Sequence, residues 1–184
     1  MNFEKILIVD DEEMMREMVT EMLEDQAKEI ITAENAEEAL EIFNNNGSFD
    51  AVLTDLKMPG MNGLQLLESI KGINPSMPVV VMTGYSEIFS VEEAMKSGVD
   101  EYILKPFKKD EIGMVMTRAK WRASSIYKRR LLEGVKSMIE YINTANKIIA
   151  TSGYPSPHKE NLMAKGEEIK RSVARNVTEV LKNI

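Results

Sequence analysis

Four short clusters hold the residues of this 184-residue sequence best placed to do chemistry. They are Asp10-Asp11-Glu12, Asp55, Thr83-Gly84 and Lys105-Pro106, and each follows a short apolar run. If those runs are parallel strands, the clusters project from one carboxyl edge of a sheet, where open α/β folds keep their sites. Aspartates gathered at one edge repel: two unit charges about 4 Å apart cost about 4 kcal/mol at an effective dielectric of about 20. A hard divalent cation offsets that repulsion without histidine or cysteine, and Mg²⁺ takes only one or two carboxylates while keeping its waters. Lys105 adds a point charge suited to a phosphoryl oxygen, and the Thr83 hydroxyl donates to the same kind of oxygen. An aspartate so placed acts as a nucleophile, and Asp55 would carry an aspartyl phosphate whose charge is matched by the cation, Lys105 and Thr83.

Each cluster also has an ordinary reading. The acidic run suits the positive end of a helix, Asp55 a loop cap, Pro59-Gly60 and Asn62-Gly63 plain turns. Lys105 would then be a solvated side chain and Tyr102 a core residue. The weight lies in their joint occurrence, in order, each after an apolar run.

The elements that must position these residues are legible in the first 107 positions, where short β-branched runs alternate with segments of helical period. Strands are expected over 6–9, 29–33, 51–54, 79–82 and 102–104. The second is the least apolar, as an outer strand would be. Helices are expected over 12–24, from Asn35 to 43 with Asn35 and Glu38 spaced as a capping box, over 64–73, and over 86–97 ending at Gly98. The pattern is that of an α/β, doubly wound, five-stranded parallel sheet. After Pro106 it changes to one long helix over 109–151. The break Ser152-Gly153-Tyr154-Pro155-Ser156-Pro157 follows, then a second helix over 159–183. The expected organisation is a domain over 1–120 and an all-α helical hairpin extension over 121–184, continuous with the last helix of the domain.

Composition narrows the function. The absence of cysteine removes disulfides, thiolate metal sites and cysteine nucleophiles, and the single histidine, His158, rules out a multi-histidine centre. No apolar run reaches the length of a membrane helix. The start Met1-Asn2-Phe3-Glu4-Lys5 lacks the order of a secretion signal, so a soluble cytoplasmic protein is expected. The net charge of -7 conceals an asymmetry: 11 basic against 24 acidic residues over 1–120, and 12 against 6 over 121–184.

The runs Ile6-Leu7-Ile8-Val9-Asp10-Asp11-Glu12, Asp55-Leu56-Lys57-Met58-Pro59-Gly60-Met61-Asn62-Gly63, Met82-Thr83-Gly84 and Lys105-Pro106-Phe107 resemble, in order, the receiver (CheY-like) domain of bacterial two-component response regulators. The resemblance covers residues 5 to about 118 and implies a flavodoxin-like fold. It implies that Asp55 accepts a phosphoryl group from a phosphohistidine of a sensor kinase or phosphotransfer protein. It makes Asp11, Asp55 and the backbone carbonyl of Lys57 direct Mg²⁺ ligands, with Asp10 acting through water. Thr83 and Lys105 would bind the phosphoryl, Tyr102 would be the aromatic switch that follows Thr83, and the Lys105-Pro106 bond would be cis. Gly84 stands where many receivers carry alanine. Lys57 and Tyr85 flank the line along which water attacks the acyl phosphate in that family, and a cation and a bulky ring there predict slow hydrolysis.

In the tail, Leu132, Val135, Ile139, Ile142 and Ile149 mark a short heptad seam with Asn146 as one polar, register-fixing position. The second helix repeats it with Leu162, Ile169, Val173, Val177, Val180 and Ile184. A homodimer forming a four-helix bundle completes such a hairpin; folding back onto the acidic domain is the alternative. His158 invites a phosphotransfer reading, but it sits beside Pro157 and has no acidic neighbour on a helix face to orient it. Three functions follow. The first is a phosphorylation-activated response regulator or phosphorelay carrier, not an enzyme, acting through protein contacts of the tail. The second is a transcriptional or RNA-binding regulator using the basic tail, which lacks the three short helices of a helix-turn-helix and the aromatics of RNA stacking. The third, an aspartyl-nucleophile phosphatase, would need a second aspartate at position 57, where lysine stands.

Overall fold

The computed structural model describes residues 3–84, 98–153 and 155–182. The helix expected over 86–97, and Tyr85, lie outside these residues.

Five parallel strands are ordered β2-β1-β3-β4-β5: β1 (Phe3–Val9), β2 (Ala27–Ala33), β3 (Ala51–Asp55), β4 (Val79–Gly84) and β5 (Glu101–Lys105). The weakly apolar β2 is an edge strand, as its pattern requires, while β1 and β3 sit inside the sheet and are apolar on both faces. Alternation along β1 divides the core. Ile6 and Ile8 join Val19 and Leu23 of α1 (Glu13–Leu23) and Ile112, Met116 and Ala119 from the start of α4 (Lys109–Thr151). Leu7 and Val9 face the other way, toward Ala39 and Phe43 of α2 (Ala36–Asn45) and Leu66 and Ile70 of α3 (Gly63–Ile73).

The strands run further than hydropathy alone places them. Asp55, Thr83, Gly84 and Lys105, expected just after their strands, are the last ladder residues: Asp55 pairs with Met82, Thr83 with Leu104, and Gly84 with Lys105. Asn35 caps α2 by accepting the Glu38 N–H at 2.8 Å, but Glu38 reaches back to the N–H of Glu34. A complete capping box stands instead at α3, between Asn62 and Gln65.

The chain divides into two compact units between Ser124 and Ser125. The second holds the remainder of α4 and α5 (Ser156–Lys182). Helix α5 begins three residues before the expected position because Pro157 falls in the first turn, where a missing N–H costs nothing. The two helices are antiparallel: Lys159 bonds the Ala150 carbonyl, Gly166 lies against Ile142 and Asn146, and Lys170 bonds Asn143. Half-buried Leu131, Val135, Ile139, Ile142, Asn146 and Ile149 face Met163, Gly166, Lys170, Val173, Val177 and Leu181. Asn146 holds the polar position as expected and bonds Glu167. Val135, Ile139, Ile142, Ile149, Val173 and Val177 also hold their expected places, whereas Leu132, Leu162, Ile169 and Val180 are exposed and Leu131, Met163 and Leu181 stand in the seam. Glycine and lysine at 166 and 170 disguised the true stripe of α5, since neither reads as apolar. Ile184 lies outside the described residues.

Candidate functional site

The carboxyl ends of β1, β3 and β5 bring three charged side chains into contact. Lys105 Nζ lies 2.9 Å from Asp10 Oδ2 and 2.5 Å from Asp55 Oδ1. Both carboxylates are buried, Asp10 to 1% and Asp55 to 7% residual exposure, so water does little to screen them. Their remaining oxygens are engaged: Asp10 Oδ1 accepts the Glu12 N–H at 3.0 Å and Asp55 Oδ2 the Lys57 N–H at 2.8 Å. Burial acts against the Lys105 charge, yet its bonds to Asp55 and Asp10 carry its pKa above the ordinary 10.5. Burial, opposed by Lys105 and reinforced by Asp10, raises Asp55 above the usual carboxylate value. The Asp55 shift is led by burial, the Lys105 shift by two carboxylates sharing one ammonium.

Thr83 is buried at the end of β4, on the same edge, between the strands that carry Asp55 and Lys105. Asp11 is exposed immediately after Asp10, and Lys57 is exposed two residues beyond Asp55. Tyr102 is not among the touching residues. It pairs with Val81 while Leu104 pairs with Thr83, which puts Tyr102 and Thr83 on one face of the sheet. The Tyr102 ring lines a groove with Pro106, Met114 and Arg118. The Lys105-Pro106 bond is cis, as expected.

Two supports escaped the sequence reading. The Arg16 guanidinium donates to the Asp10 carbonyl at 2.7 Å, fixing the turn from β1 into α1; nothing in the spacing signals it. Gly63 opens α3 so close to the end of β3 that a Cβ there would collide with the Asp55 carbonyl oxygen, and its N–H bonds the Leu56 carbonyl. The Asn62-Gly63 pair carried that signal, although it was read only as a turn.

The donor set suits a hard dication. Two buried carboxylates and one ammonium leave an unbalanced negative charge, and the ligands on offer are oxygens. Among the described residues no group of three or more acidic, histidine or cysteine side chains is placed to hold a metal ion.

Residues 6–116 match the family model described as the response regulator receiver domain. The Regulatory protein AtoC of Escherichia coli is 36% identical over 115 residues, 62% of this chain and 25% of AtoC. Sporulation initiation phosphotransferase F of Bacillus subtilis is 37% identical over 109 residues, 59% of this chain and 87% of that protein. A crystal structure of a response regulator receiver domain protein from Clostridium thermocellum superposes with a TM-score of 0.61 at 36% identity, covering 67% of this chain and 98% of that one. The chain spans 22% to 36% of the length of the first four curated relatives, so what those whole proteins do does not pass to it directly.

Proposed function

The chain belongs to the response regulator receiver family, and from that premise we propose that it is a phosphorylation-activated regulator of a two-component system or phosphorelay. Asp55 accepts the phosphoryl group from a phosphohistidine of a sensor kinase or phosphotransfer protein: its carboxylate oxygen forms the new P–O bond, and the histidine nitrogen leaves. The observation that carries this reading is the buried Asp10, Asp55 and Lys105 cluster at one sheet edge. Asp10, Asp11, Asp55 and the Lys57 carbonyl would hold Mg²⁺, which when bound neutralises charge on the transferring group. Lys105 and Thr83 hold the phosphoryl oxygens. Lys105 must then exchange one carboxylate for a phosphoryl oxygen, and Thr83 and Tyr102, on one sheet face, form the switch.

Receiver domains are phosphoacceptor signalling modules. For this chain we place the output in contacts of the C-terminal helices with protein, including a second copy, and no catalysis beyond self-phosphorylation and slow self-dephosphorylation. The boundary between receiver and extension lies near 120. We also place the protein in the cytoplasm; no helix among the described residues is long and apolar enough to cross a membrane. Nucleic acid is the weaker partner because the tail's described residues form two long helices and no three-helix reading unit.

Beryllofluoride with Mg²⁺, which imitates the acyl phosphate, should shift the amide spectrum of the wild type around Thr83 and Tyr102 and leave Asp55→Ala unmoved. Equal responses of the two proteins overturn the assignment. Lys57, exposed at the mouth of the site, together with Tyr85 predicts a phosphoryl lifetime of many minutes. A lifetime of seconds in the purified protein, read by loss of label, removes that part.

A further inference from the structure

The second unit is built like half of a bundle. None of its described residues is buried, although it carries two helices with paired apolar stripes. A 60-residue unit of this kind lacks the core to stand on its own seam. Beside that seam each helix bears a second stripe. On α4, Met138, Tyr141, Ala145 and Ile148 follow the three-four spacing of a heptad, and Tyr141 and Ile148 are 76% and 64% exposed. On α5, Leu162, Ile169 and Asn176 recur at every seventh residue and Val180 follows, with Ile169 52% exposed and Lys165 and Ser172 along the margin of the stripe.

Both stripes lie roughly 70–80° round their helix from the seam, in the same rotational sense. In an antiparallel hairpin that sense brings the two onto one side, so they join into a single apolar face. Of the 60 residues from Ser125 on, 17 are charged, yet none of these eight positions is. Exposed Leu132 stands alone on the opposite side of α4.

We propose that this face is the docking surface for the same face of a second copy, closing a four-helix bundle. The inference rests on the reading that the tail acts through protein contacts. On α5 the stripe from Leu162 to Val180 spans about 27 Å, and two helices about 9 Å apart present a face of roughly 500 Å² along it, so that two copies together bury about 1,000 Å², the lower bound of a specific interface. An isologous contact also explains why, apart from Lys165 at its margin, the face carries no charge: a charged position at its centre would meet its like or an apolar side chain near the two-fold axis.

Light scattering on the full chain at tens of micromolar should give twice the 20.8 kDa of the protomer. The double variant Tyr141→Glu with Ile169→Glu should halve the mass; both side chains are already exposed in the isolated hairpin, so neither substitution breaks a contact within it. Leu132→Glu, on the other side, should leave the dimer intact. Each copy of the second unit carries 11 basic and 6 acidic residues, so these units repel weakly and added salt should tighten the dimer. A wild type that runs as a monomer overturns the proposal, as does a double variant with wild-type mass or a Leu132→Glu variant that dissociates as readily as the double variant. Beryllofluoride binding by the wild type is read separately: its absence in a wild type that is dimeric would count against the phosphoryl site and leave the dimer face standing.

Discussion

At the scale of residues, the site is a charge imbalance held under burial. The folded chain binds a proton at Asp55 more readily than the unfolded chain does, because burial raises its pKa. From the ordinary value near 3.8 up to the raised one, the folded state therefore holds more protons, and stability contributed by this group falls as pH rises. Lys105, raised above 10.5, contributes its full stability at every pH below that and loses it as pH rises from there through its folded value, so it does not mask the effect. The expected result is that Asp55→Asn is more stable than wild type in metal-free buffer. The gap in urea midpoint should open as pH rises from about 4 to 7, and Mg²⁺ should narrow it. A gap independent of pH would show that Asp55 ionises without cost. The four clusters were legible because phosphoryl chemistry needs uncommon residue types in order. The Arg16 contact was not, because a guanidinium reaching a backbone carbonyl leaves no trace in spacing.

At the scale of elements, the edges of the sheet are fastened by contacts far apart in sequence. Asp100, just before β5, is buried and accepts from Lys71 of α3 at 2.6 Å and from the Val79 N–H at 2.9 Å. Burial raises its pKa against those two bonds. Lys71→Met leaves that carboxylate uncompensated and should cost about 3–5 kcal/mol near neutral pH. Part of the loss should return as pH falls and Asp100 takes up its proton, and urea midpoints at two pH values measure this. Gly63→Ala should cost about 1–3 kcal/mol through overpacking against the end of β3. That variant should also weaken beryllofluoride binding, because the displaced backbone is that of Asp55. Strand cores and helix stripes were visible in the sequence, while strand ends were placed short. Hydropathy stops where polar site residues begin, but the ladder of hydrogen bonds continues through Asp55, Thr83 and Lys105.

At the scale of the molecule, the chain joins an acidic body to a basic tail through α4, which is a single helix of 43 residues. Its first turns pack in the receiver core through Ile112, Val115 and Met116, and Arg118 and Arg122 pair with Glu101 of β5 at 3.3 and 3.4 Å. A switch that moved β5 would therefore act on the helix that continues beyond Ser124. Beryllofluoride with Mg²⁺ should change amide exchange beyond Ser125, and Arg118→Ala with Arg122→Ala should reduce that change while sparing binding at Asp55. An unchanged tail on saturation would show that the two ends of α4 do not communicate.

The sequence by itself determined the α/β order, the outer place of β2, the four polar clusters at the strand ends and the existence of a helical hairpin, while the cis Lys105-Pro106 bond was implied only by the family resemblance those clusters carry. Period, residue type and order along the chain are local properties. Tertiary structure alone decided that Lys105 bridges Asp10 and Asp55, that Lys71 neutralises Asp100, and which apolar stripe of α5 faces α4. Each of these depends on what stands across a gap of many residues. Two adjacent stripes on one helix look alike until the facing helix covers one of them.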